Sequence, residues 1–148
     1  CGLVCQIDST LNMVDYYAYG PWENYVDRKE GCMIGRYQTT VDEMGENYVK
    51  PQSMGNREGL RELKMTDHSG KGIRIQTQGN VSFSALPYTD IDLMEAAHTW
   101  ELTKRPYIVL HLDAALRGLG NASCGPETIA KYKIPQKEMS YKLRVSPL

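Results

Sequence analysis

The stretch LNMVDYYAYG, residues 11–20, alternates at a period of two, the mark of a half-buried β-strand. The same alternation recurs in GRYQTTV (35–41), GIRIQTQ (72–78), VSFSAL (81–86), YIVLHLD (107–113) and MSYKLRV (139–145), and LVCQI near the start reads as a strand at once. Between them, DHSGKG (67–72) and QGN (78–80) carry the Gly and Asn residues that hairpins need for positive φ, so consecutive strands are expected to pair antiparallel. Only TDIDLMEAAH (89–98) reads as a helix. It has Thr89 or Asp90 as N-cap, acid in the first turn, and Ile91, Met94 and Ala97 or His98 on one face. The expected fold is all-β with one short connecting helix.

The 148 residues suffice for one hydrophobic core, so residues 1–148 are expected to form a single domain or a fragment of a larger one. No initiator methionine precedes Cys1 and strand pattern begins immediately, which predicts a chain starting inside a longer polypeptide. Seventeen basic and eighteen acidic residues give a net charge of −1 with neither sign in a block, which argues against a nucleic-acid partner. YIVL at 107–110 is the longest apolar run, far short of a membrane span. No targeting signal is visible, and the compartment, cytoplasmic or periplasmic, stays open. Ten tyrosines and two tryptophans against one phenylalanine give an amphipathic aromatic surface, suited to edges that touch water or sugar.

Candidate chemistry is sparse. Cys1, Cys5, Cys32 and Cys124 form no CxxC pair and have no His at finger spacing, so a zinc site has little support, and Cys1, Cys5 and Cys32 are expected to be free, buried thiols. His68, His98 and His111 are scattered: a solvated turn, the end of the helix and a strand face. In GPWENYVDRKEG (20–31), Glu23 and Asp27 are four residues apart, and glycosidases need two carboxyl groups roughly 5–9.5 Å apart. The stronger reading is structural: Asn and Asp bond local backbone, and Asp27 pairs with Arg28 to fix the loop. Asn56 and Arg57 in GNRE read the same way. RGLGNASCGPET (117–128) holds a serine and a cysteine among glycines, but Asn121 stands where a nucleophile elbow needs Gly, and no histidine partners Cys124. An unperturbed thiol, with a pKa of about 8.5, is mostly protonated at neutral pH, so cysteine catalysis has weak support. NVS at Asn80 and NAS at Asn121 fit the glycosylation sequon without other support.

Four signatures in order, YAYGPWENYVDRKEG (17–31), YVKPQSMGNREGLRELKM (48–65), FSALPYTDIDLMEAAHTWEL (83–102) and LHLDAALRGLGNASCGPE (110–127), resemble the C-terminal domain, or small chain, of glycoside hydrolase family 2 β-galactosidases, over about Gly2 to Val145. The resemblance implies a large antiparallel β-supersandwich of the galactose mutarotase-like type, of which this chain is the C-terminal part. It implies hydrolysis of terminal β-D-galactosides with retention, by two glutamates on a separate (β/α)8 barrel, with magnesium and sodium bound by other domains of a homo-oligomeric enzyme. No catalytic residue and no metal ligand is then expected in this segment, and the chain alone should be inactive. Its partners are the remaining domains of the same chain and the β-galactoside substrate.

The family's last domain walls the acceptor subsite through a loop similar to GNASCGP, where many members carry a sugar-stacking tryptophan at the position matching Cys124. Cys124 is thus the one candidate substrate-binding residue, lining a roomier wall; its alternative is to pack inward beneath the loop. A rival reading is a free-standing carbohydrate-binding or mutarotase-like module, with Trp22, Trp100 and surface tyrosines as its platform.

Overall fold

A computed structural model of the protein describes residues 1–120 and 124–148. Among these residues eight strands form two antiparallel sheets: β1 (Gly2–Asp8), β2 (Met13–Gly20), β3 (Met33–Thr40), β4 (Glu62–Thr66), β5 (Gly72–Gln78), β6 (Ser82–Leu86), β7 (Tyr107–Asp113) and β8 (Lys142–Pro147). One sheet has the order β3-β2-β4-β5-β8, the other β1-β7-β6. Among the described residues no helix is long and apolar enough to cross a membrane.

Strand β2 shows why alternation decides the fold. Val14, Tyr16, Ala18 and Gly20 are buried, while the residues between them are half-buried. Val14, Tyr16 and Ala18, with Leu63 and Met65 of β4 and Ile75 of β5, meet Phe83 and Ala85 of β6 and Ile108, Leu110 and Leu112 of β7 in one core. Each buried Val, Leu, Ile, Met or Phe among them contributes about 1.5–3 kcal/mol by leaving water. Tyr16 and the single phenylalanine, Phe83, join the two sheets edge to face, with ring centroids 5.3 Å apart. That geometry suits the aromatic quadrupole.

Three expectations are corrected. Strand β4, ELKMT, was absent from the sequence reading, yet it lies inside the five-stranded sheet between β2 and β5. Its Glu, Leu, Lys and Met are good helix formers, and sheet pairing overrides that preference. Secondly, the DHSGKG turn does close a hairpin, β4–β5, with Gly70 at φ +84°, but QGN does not: β5 and β6 lie in different sheets, and 78–80 crosses between them. Thirdly, the helix α1 (Asp90–Glu95) is capped by Thr89 as expected, its hydroxyl accepting from Asp92 N at 3.1 Å, but it turns a different face inward. Leu93 is buried, whereas Ile91 and Met94 are 59% and 70% exposed. His98 stands beyond the helix, its Nδ1 2.9 Å from Glu101 and its ring stacked on Trp100.

The thiols are free, but Cys1 is exposed and Cys5 and Cys32 are half-buried, so the expectation of three buried thiols is also corrected. Among the described residues, Cys5 lies on β1, whose outer edge has no strand beside it, and Cys32 lies in the loop before β3, itself an edge strand.

Candidate functional site: interlocked loops at one end of the sandwich

The GPWENYVDR and GNRE signatures meet. Asn24, fully buried, donates through Nδ2 to Tyr19 O (3.1 Å) and Trp22 O (2.9 Å) and accepts at Oδ1 from Glu58 N (2.8 Å). Asn24 N donates to Asn56 O at 2.8 Å, and Asn56 Nδ2 returns a bond to Asn24 O at 2.7 Å. An amide side chain suits this place because it offers donors and an acceptor together, so every buried polar atom finds a partner. Arg57 exchanges both backbone bonds with Phe83, and Glu58 O accepts from Tyr19 N. The GNRE segment therefore ties β6 of one sheet to β2 of the other.

Glu23 is the second centre of the lock. Its buried carboxylate accepts from Gly55 N (2.9 Å), Tyr25 Oη (3.3 Å), the Arg28 guanidinium and Tyr48 Oη. Gly55 is required: φ is +76°, and a Cβ there would stand 2.7 Å from Met44 O. Burial pushes the Tyr25 phenol far above its ordinary value, and the neighbouring Glu23 charge adds to this. Burial and the bond to Glu23 raise Tyr48 likewise, so both phenols stay protonated as donors. Glu23 and Asp27 do not form an acid pair facing a common cleft, since Glu23 is consumed by these donors. The expected Asp27–Arg28 pair is also corrected: Arg28 turns to Glu23, whereas Asp27 Oδ2 accepts from Leu119 N at 2.7 Å. Tyr48 and Gly55 were missed as partners because nothing in a linear pattern tells which distant donor reaches a buried carboxylate.

A narrow cleft of about 70 Å³ beside the lock is lined in part by Tyr25, Asn56, Tyr88, Asp90, His111 and Asp113. His111 Nε2 lies 3.6 Å from Asp90 and Nδ1 3.9 Å from Asp113. Ligand pockets usually hold roughly 300–1,000 Å³, so this cleft does not accommodate a sugar. Among the described residues no group of three His, Cys, Asp or Glu side chains could hold a metal ion.

Asp27 connects the lock to the loop of Cys124. Gly118 N donates to Tyr132 O at 2.9 Å, Thr128 Oγ1 donates to Gly118 O at 3.2 Å and also bonds Gly120 O, and Arg117 pairs with Glu127. Asn121 and Ser123, with the NAS sequon, lie outside the described residues. Cys124 is exposed. Asn80 of the NVS sequon is exposed too, as are Trp22 (69%) and Trp100 (80%).

The fold and the lock define the chain as an all-β sandwich module whose buried polar side chains tie its loops together. A family profile described as "Beta galactosidase small chain" matches residues 1–145. The chain is 35% identical over 143 residues to the β-galactosidase of Actinobacillus pleuropneumoniae, covering 97% of this chain and 14% of that protein. It is 32% identical over 116 residues to that of Halalkalibacterium halodurans (78% and 11%) and 33% identical over 149 residues to that of Lactobacillus delbrueckii subsp. bulgaricus (99% and 15%). The chain belongs to the β-galactosidase small-chain family, and it spans about one-seventh of the length of the curated relatives it matches.

Proposed function

We propose that the chain is the C-terminal part of a retaining β-galactosidase acting on terminal β-D-galactosides, and that it walls the acceptor side of the active site without supplying the reacting carboxylates. The observation that carries this reading is the exposed Cys124 on a glycine-rich loop tied back to the sandwich at its base. Stacking on a sugar's C–H face needs a broad aromatic surface, and a thiol offers a small polarizable one. The acceptor subsite is therefore roomy and holds glucose weakly. The two glutamates and the magnesium and sodium sites belong to other domains of a homo-oligomeric enzyme.

Replacing Cys124→Trp in the full-length enzyme lowers the Michaelis or inhibition constant for glucose as acceptor, read from transfer and inhibition kinetics. Unchanged acceptor affinity removes Cys124 from the wall. The isolated chain shows no turnover of a chromogenic β-galactoside; turnover that survives repurification and vanishes in Cys124→Ala overturns the assignment. The exposed Trp22 and Trp100 leave a binding module as the second reading, favoured if the isolated chain is monodisperse and binds galactosides.

A further inference from the structure

We infer that the outer face of the five-stranded sheet is a docking surface for a carboxylate-rich surface on a neighbouring domain of the same longer chain. The inference rests on the reading of these residues as part of a larger enzyme, and on the geometry of the sheet for the rest.

The basic residues are dispersed along the sequence, and the strand register gathers them. Val14, Tyr16, Leu63, Met65 and Ile75 point into the core, so the residues between them point away from it. On that outer face stand Arg36 of β3, Lys64 of β4, Arg74 of β5, and Lys142 and Arg144 of β8, against two acids, Asp15 and Glu62. Arg61 joins them, its Nη1 donating to the outward Tyr17 Oη at 2.9 Å.

Two features set this face apart from a merely solvated one. Its own acids are already engaged. Buried Glu62 accepts from Arg36 Nη1 at 3.0 Å and Arg74 Nε at 2.7 Å, and lies 3.9 Å from Lys64 Nζ. Burial works to raise the Glu62 carboxyl, but the two arginines outweigh it and hold the group below its ordinary value. Asp15 accepts from Gln38 Nε2 at 3.0 Å and faces Arg36 at 3.8 Å. Arg61, Lys142 and Arg144 have no ion-pair partner among the described residues. In addition, Lys64 and Arg74 stand directly opposite each other across β4 and β5. Like charges so placed are destabilising, and a face that served stability alone would set an acid at one of the two positions.

The surplus positive charge fits an acidic partner. Composition points to protein. Four of these cations are arginines, and the guanidinium carbons of Arg36 and Arg61 lie 5.2 and 4.9 Å from the centre of the Tyr17 ring. Arginine and tyrosine are enriched at protein contacts, where lysine is depleted. Side chains already held by Glu62 and Tyr17 lose less freedom when a carboxylate reaches them. Area points to a domain of the same chain. Five strands about 4.8 Å apart and about 19 Å long present roughly 450 Å², so docking buries about 900 Å² in total. That suits domains of one chain, which share about 600–1,500 Å², and falls short of the roughly 1,200–2,000 Å² between separate stable partners.

The test uses the full-length β-galactosidase. Acetylation of Lys64 and Lys142 by an N-hydroxysuccinimide ester is timed in native and in urea-unfolded enzyme and quantified by mass spectrometry. Carbodiimide, which couples lysine to a carboxylate in direct contact, maps what the two lysines touch, and a denaturing gel separates couplings within one chain from those between chains. Lys142 is exposed in the 148 residues alone. In the native enzyme it is expected to react about tenfold more slowly than when unfolded, and to return to within about threefold in about 1 M salt, where the screening length is about 3 Å. The variant carrying Arg61→Ala and Arg144→Ala behaves at low salt as the wild type does at high salt. Couplings run from Lys64 or Lys142 to Asp or Glu outside the 148 residues, at monomer mass. Lys142 reacting at its unfolded rate in the wild type overturns the inference, and so does protection that salt leaves unchanged, which means a neutral partner. Couplings found only at twice the monomer mass put a second copy on the face, and protection removed by nuclease puts a nucleic acid there; either result overturns it. Nitrophenyl galactoside hydrolysis by the wild type is measured alongside. Its absence, with Lys142 protected and coupled as expected, leaves the docking face standing and the galactosidase reading fallen.

Discussion

The interlocked loops bury charge in two different ways. At Glu23 the carboxylate is met by a guanidinium, two phenols and a backbone N–H. At Arg57 and Glu58, adjacent and both buried, neither side chain has an ion-pair partner among the described residues. Arg57 Nε reaches Tyr16 Oη at 3.3 Å, and Glu58 accepts from Asn56 Nδ2 at 3.0 Å. Unlike charges that are neighbours along an extended segment point to opposite sides and cannot neutralise each other. Burial raises the Glu58 carboxyl, Asp113 adding to the effect, while Asn56 and Lys29 oppose it. The Glu23 side is thus a charge the fold is built around, and the Glu58 side a charge the fold tolerates in return for joining the two sheets.

The sharpest way to break the contrast is Glu23→Ala. Arg28 is half-exposed and returns to water, but Gly55 N–H loses its acceptor and the buried Tyr25 hydroxyl keeps only Ser53 O, at 3.4 Å. A loss of about 2–5 kcal/mol in equilibrium unfolding is expected; a loss under about 1 kcal/mol would make Glu23 as dispensable as a surface acid. Glu58→Gln should act in the opposite direction. A carboxyl raised in the native state gives stability that is full below its unfolded value and is lost as pH rises through the native one. Glutamine does not titrate, so the variant should match the wild type near about pH 4 and become progressively more stable toward about pH 8, read by thermal unfolding across pH. A constant difference at all pH values would mean that the wild-type charge costs nothing. Tyr16→Phe is the mildest probe: it removes the oxygen that accepts from Arg57 and donates to Pro21 O at 3.1 Å, while keeping the ring against Phe83. A cost of about 0.5–1.5 kcal/mol is expected, and a larger one would show that Arg57 depends on this phenol for its charge.

These differences also mark what a linear reading reaches. β5 and β7 carry the ends expected from their alternation, since turn or loop residues bound them on both sides. β4 escaped because ELKMT is held by partners on either side and not by its own preference. The helix was legible and its buried face was not: Leu93 goes inward where the sheet surface lies, a fact absent from six residues of periodicity. At the site, the types of Asn24, Asn56, Arg57 and Arg28 announced loop-fixing roles, but the choice of Glu23 over Asp27 as the partner of Arg28 depends on Tyr48 and Gly55, which arrive from elsewhere in the chain. As a residue of the acceptor wall Cys124 was singled out by resemblance, and its exposure is what the structure adds.

β1 has a bearing on how the chain is made. Its strand partner among the described residues is β7, in a register running from Gly2↔Asp113 to Asp8↔Tyr107, so β1 waits for roughly a hundred further residues before it can pair. At about 5–20 residues per second, that is on the order of 5–20 s on the ribosome with the backbone N–H and C=O groups of β1 unpaired. A nascent segment of this kind is a natural client for chaperones, and synonymous codons that slow translation between residues 8 and 107 would lengthen its exposure.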